Sequence, residues 1–225
     1  MCGCEGGSGD GTTADILTCM EDSPDIPPST PMDAWLDALG QPQGSPGGGA
    51  ASGVMLGLGA SLLSMVAGYT PDDSRAAECA ARVAALRGDA LQAVEADGIV
   101  SARFGEALAL PSDDEDREPR VRDAAIEAAE STAALGRIGL AFIPEARLLA
   151  EVGNRHLDMD LAVGLEALEA GLSGVSLTLR ANLQIARTHE APSSRLADLI
   201  ALVGELAGAR RIVGEIIAEL SSHLD

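Results

Sequence analysis

Residues Gly47–Thr70 read Gly-Gly-Gly-Ala-Ala-Ser-Gly-Val-Met-Leu-Gly-Leu-Gly-Ala-Ser-Leu-Leu-Ser-Met-Val-Ala-Gly-Tyr-Thr, and none of these side chains is charged. Ser45-Pro46 introduces the run. An apolar stretch of about 18 residues or more is long enough to cross a bilayer. It also suits a helix buried on all sides in a helical protein. Small residues separate these readings. Gly49, Gly53 and Gly57 recur every four residues, as do Ala60, Ser64 and Gly68. Each series lies along one helix face, where another backbone can come close. A spanning helix shows strong hydropathy and basic or aromatic anchors. Here glycines dilute the hydropathy, and Pro71-Asp72-Asp73 follows. The expectation is a buried helix of a soluble protein, with a membrane-inserted helix pair as the rival.

The Pro46-Gly47-Gly48-Gly49 start is either a tight turn or a ligand-binding element. Glycine tolerates positive φ and lets a ligand lie against the main chain. A helix opening there directs free N–H groups and its positive dipole end at that ligand.

The rest of the 225-residue chain supports a helical class. Hydrophobic residues make up 46% and aromatics 2%, so Leu, Ala, Val, Ile and Met must build the core. The net charge of −20 repels phosphate backbones and anionic lipid, so neither nucleic acid nor membrane is an expected partner. All 15 basic residues are Arg, which excludes Schiff-base chemistry and a Lys general base. The amino end lacks the basic and apolar regions of a secretory signal, so a cytoplasmic location with reduced thiols is expected. Cys2, Cys4 and Cys19 lack the paired spacing of a structural zinc site, and no metal is expected.

In chain order, residues 1–30 form a Gly-, Pro- and Cys-containing extension, flexible or loosely docked, with a turn or two of helix at Ala14–Met20. Residues 31–225 form one all-α domain, a multi-helix bundle of long antiparallel helices around the small-residue-rich apolar one. Pro31 opens a short helix through Leu39, with Trp35, Leu36 and Leu39 on its apolar face. After Thr70, Pro71-Asp72-Asp73-Ser74 starts a helix. Its stripe of Cys79, Val83, Leu86, Ala90 and Val94 continues through Asp97 and Ser101 to Phe104 and Leu108. Gly88 and Gly98 loosen it, and Pro111 stops it. An Ala-rich helix over 120–134 is followed by another over 138–152, with Pro144 as a start or kink. Gly153-Asn154 breaks the chain, 158–188 is one long helix, and 195–224 is the last. No segment alternates as a strand.

These motifs resemble the cyclodeaminase/cyclohydrolase family of folate enzymes, over roughly Met32 to Leu183. The landmarks are the short helix, the Pro-Gly-Gly-Gly turn, and the apolar helix ending in Met65-Val66 and Thr70. Asp97 at its distance before Leu110-Pro111, Gly153-Asn154 followed by Asp160, and Asn182 late in the next helix complete the set. The resemblance implies an all-α subunit that forms at least a homodimer. It implies a tetrahydrofolate derivative as substrate, with no tightly bound cofactor. The reaction would be hydrolysis of a methenyl bridge or cyclodeamination of a formimino group. Asp97 and Asp160 would be the catalytic carboxylates, stabilising a cationic carbon and moving protons. Pro46, Gly47, Gly48, Gly49, Asn154, Arg180 and Asn182 would bind substrate. Read as residues alone, Asp97 is a helical acid on a half-buried stripe, Asp160 a helix cap, and Asn154 a turn residue. Asn182 amid Leu179, Leu183 and Ile185 requires partners. The chain departs from the family at Ser101 (usually Phe or Tyr), Ser112 (Lys), Met159 (Ser) and Thr178 (Asn). Those departures keep open a diverged, non-catalytic binding or assembly protein of the same fold.

Overall fold

The structure, a computed structural model, describes residues 31–42 and 45–222. The proposed helix at 14–20 and Cys2, Cys4 and Cys19 lie outside them. The described residues form six helices, in order α1 (Met32–Leu39), α2 (Gly48–Gly68), α3 (Ser74–Leu108), α4 (Arg117–Val152), α5 (Asp158–Thr188) and α6 (Ser193–Ser221). A single 3₁₀ turn, Arg155–Leu157, precedes α5, and no strand occurs among the described residues. The all-α expectation holds.

Helices α2 to α5 form an up-and-down four-helix arrangement. Gly49 and Gly53 of α2 face Asp97 and Val94 of α3, which fixes an antiparallel pair. Gly59 meets Gly164 and Leu168 of α5, and Gly171 meets Leu56 and Ser52, a second antiparallel pair. Ser131 of α4 reaches Asp97, and Arg82 of α3 reaches Glu145 near the other end of α4. Helix α6 covers α4 and α5, placing Leu202 and Leu206 against Gly136. Leu56, Leu63, Phe142, Leu165, Leu172 and Leu179 are fully enclosed at the centre.

Helix α2 explains its own composition. By length and composition it and the segment 155–188 could each cross a membrane. In this fold α2 instead lies between α3 and α5, with Leu56, Leu63 and Val66 removed from solvent. Gly49, Gly53 and Gly59 are contact surfaces. A Cβ at Gly53 would overlap the Val94 side chain, and one at Gly59 would sit 2.7 Å from the Gly164 carbonyl oxygen. No described glycine has positive φ. The glycine turn therefore does not use left-handed backbone; Gly47 is extended at φ −128°.

Other differences from expectation have physical causes. The break expected between 134 and 138 is absent, because α4 runs unbroken through Pro144. The proline ring faces solvent, where the carbonyl it leaves unpaired can be hydrated. Phe142, Ile143, Ala146 and Leu149 pack the opposite face. Helix α3 continues past Gly88 and Gly98. In α1 Trp35 is buried against Ala50 and Val94, whereas Leu36 is 53% exposed, rotated off that face. The last helix begins at Ser193 and is described to Ser221.

Two glycine substitutions separate contact from mere flexibility. Gly59→Val should lower stability by about 3 kcal/mol, because backbone blocks the new side chain. Gly88→Ala meets nothing within 4 Å and should raise stability by up to about 1 kcal/mol. Urea midpoints measured at constant slope check both.

Candidate functional site

The amino end of α2, the last third of α3, the middle of α4 and the end of α5 enclose a cavity of about 190 Å³. Gly47, Gly48 and Gly49 form one wall, with Asp97, Ser101, Phe104, Thr132, Thr178 and Asn182 around it. Asp97 reaches this place because Gly49 has no side chain. A Cβ there would overlap Asp97 Oδ2. Helix α2 has no side-chain cap at Gly47, so its first N–H groups are left without intrahelical partners at the cavity wall.

Asp97 is only 7% exposed. Ser131 Oγ donates to its Oδ1 at 3.0 Å, and the Ser101 hydroxyl also bonds to it. Burial pushes the Asp97 pKa above the usual carboxylate range, and the two hydroxyls partly oppose that rise. Among the described residues, Asp97 is the one ionisable group lining the cavity, and none of them lining it is a cation. Across from it, Asn182 is 9% exposed, and its Nδ2 donates to Thr132 Oγ1 at 3.3 Å. Thr132 Oγ1 in turn donates to the Ala128 carbonyl at 2.8 Å. The site can thus receive a compact cationic group beside a desolvated carboxylate.

Of the residues singled out from sequence, Gly47, Gly48, Gly49, Asp97 and Asn182 meet here. Pro46 is buried next to the cavity without lining it, and follows a cis peptide bond from Ser45. Asn154 and Asp160 lie at the opposite end. Asn154 Nδ2 donates to the Tyr69 carbonyl at 3.2 Å, its N–H to Thr70 Oγ1 at 3.1 Å, and its Oδ1 accepts from the His156 N–H. Asp160 stands half-buried in the first turn of α5. From Asp160 to Asn182 the helix rises about 33 Å. One protomer therefore does not bring the two aspartates to one cavity. Arg180 is exposed and lines a shallow groove between α5 and α6 instead.

Ser131 and Thr132 escaped the sequence reading. Their signal was a hydroxyl pair within an Ala-rich helix, with Thr132 on the same buried face as Ala125, Ala129 and Gly136. Cys79 is a core residue. Burial and a hydrogen bond with Glu145 push its thiol up to about 12, which removes it as a nucleophile at neutral pH.

The raised Asp97 pKa carries a stability signature. Above the ordinary carboxylate pKa the folded state holds this proton more tightly than the unfolded chain, so stability falls as pH rises through that window. Asp97→Asn should therefore raise the melting temperature at pH 7 and give no gain below the carboxylate range. Melts across pH 3 to 8 check this.

Residues 31–197 match the formiminotransferase-cyclodeaminase family. The crystal structure of formiminotetrahydrofolate cyclodeaminase from Thermotoga maritima superposes with a TM-score of 0.72 at 18% identity, covering 86% of this chain and 98% of that one. At that identity the likeness speaks for the fold. No curated protein matches the sequence. With the family match spanning most of its length, the chain belongs to the formiminotransferase-cyclodeaminase family.

Proposed function

We propose that this protein is a cytoplasmic folate enzyme acting on the one-carbon unit of a tetrahydrofolate derivative, with Asp97 as the proton-transfer group. The observation that carries this reading is a buried carboxylate beside an uncapped helix terminus, in a cavity with no cation among the described residues. Such a carboxylate favours a substrate that supplies the positive charge. In cyclodeamination, the formimino group sits on a ring nitrogen, and the neighbouring amine outside the ring attacks its carbon, forming the new C–N bond as the bond to the departing nitrogen breaks. Asp97 accepts the proton of the attacking nitrogen and returns it to the departing one, and ammonia leaves. Hydrolysis of a methenyl bridge uses the same carbon. Water adds while Asp97 takes its proton, one ring C–N bond breaks, and the nitrogen regains the proton as the formyl group forms.

Formiminotetrahydrofolate and methenyltetrahydrofolate are the substrates to offer, following ammonia release and loss of methenyl absorbance. Acceleration of either, lost by at least about 100-fold in Asp97→Asn, supports the reading; this is the scale of a general-base contribution. A second reading, a non-catalytic folate-binding protein, draws on the missing cations at the cavity and the outward Arg180. It predicts binding without turnover.

We propose further that the enzyme is a homodimer paired through α2. Val54, Leu58, Leu62, Met65 and Tyr69 form an uncharged outward stripe along this helix, with Leu58 50% and Tyr69 62% exposed. A two-fold antiparallel pairing of α2 sets the Tyr69 end of one copy beside the glycine end of the other. Asp160 of the partner subunit would then face Asp97. Mixing inactive Asp97→Asn with inactive Asp160→Asn should restore about a quarter of wild-type activity, because half the dimers are mixed and each has one intact site. No recovery from a re-equilibrated mixture contradicts the shared site.

A further inference from the structure

Ser131 and Thr132 are consecutive on α4 and reach opposite neighbours. Ser131 donates to Asp97 of α3 at 3.0 Å. Thr132 meets Asn182 of α5 at 3.3 Å. Thr132 has one hydroxyl proton, and the Ala128 carbonyl takes it at 2.8 Å. Only lone pairs remain for Asn182, so the amide nitrogen must face Thr132. The amide oxygen is then turned away from it. Asn182 is nine-tenths buried, lines the cavity, and no described residue donates to that oxygen. The amino end of α2 brings uncapped N–H donors to the same cavity, with Asp97 against Gly49 beside them.

We infer that the Ser131–Thr132 pair sets the hydrogen-bond polarity of this cavity. It presents the Asn182 amide oxygen as an acceptor across from the wall where Asp97 lies against Gly49 and the first N–H groups of α2. The ligand class that satisfies both walls is a flat, amide-containing heterocycle. A ring N–H group points at Asn182, and its acceptor points at α2. On the folate reading above, on which this inference rests, that group is the 2-amino-4-oxo ring. Thr132 acts through Asn182 and is a positioning residue.

The test is calorimetric titration of the full chain with two tail-free probes, pterin and 1,3-dimethyllumazine. They are similar in size, but the second has no N–H donor. Wild type should prefer pterin by about tenfold, the scale of one or two unmatched buried hydrogen bonds. Thr132→Val should reduce the preference to about threefold or less, because the amide is no longer held. Thr132→Ser keeps the acceptor and should restore it. A structural role alone would not make the preference follow the hydroxyl. Equal affinity of wild type for the two rings, no binding of either, or an unchanged preference in Thr132→Val overturns the inference. If Thr132→Val fails to fold, wild-type discrimination together with that of Thr132→Ser still decides. Ring preference without turnover would remove the enzymatic reading and leave this one standing. Turnover without ring preference would do the opposite.

Discussion

The missing side chain at Gly49 is the constraint on which the site depends. It lets an acidic residue of α3 come against the first turn of α2, a place that any Cβ would fill. Two consequences follow. The carboxylate loses most of its water, which raises its proton affinity. The uncapped N–H groups of α2 end at the same cavity, which Asn182 also lines. Two further glycines extend this close packing along α2. Gly53 admits Val94, and Gly59 meets the backbone of α5. One sequence pattern thereby sets both the approach of the helices and the location of the acid.

Much of the fold was legible because it depends on local periodicity. The stripe from Cys79 through Val94 carried on to Asp97, and every one of those positions except the half-buried Leu86 is enclosed. Asp73 was legible as a helix start, and its side chain accepts from the Arg75 N–H at 2.8 Å. Pro144 misled, because a proline on a solvent face breaks one hydrogen bond but not the packing of the other face. Leu36 misled for a related reason. It is apolar, but one residue away from the face that Trp35 fixes.

The site was less legible than the fold, since its members come from four helices. Asp97, Asn182 and the glycine turn came together as the family resemblance implied. Asn154 and Asp160 belong to the far end of the same antiparallel helices, a separation that spacing along the chain does not reveal. Ser131 and Thr132 were passed over because a hydroxyl inside a helix usually bonds its own backbone. Thr132 does so, and that bond is what commits the orientation of Asn182.

The most direct measurement is a crystal structure of the protein with 5-formyltetrahydrofolate, whose one-carbon group occupies the position of the reacting carbon. The account predicts that group within hydrogen-bond reach of an Asp97 carboxylate oxygen, with the ring between Asn182 and the amino end of α2. A ligand bound elsewhere, with the cavity at Gly49 and Asp97 filled only by water, would contradict it.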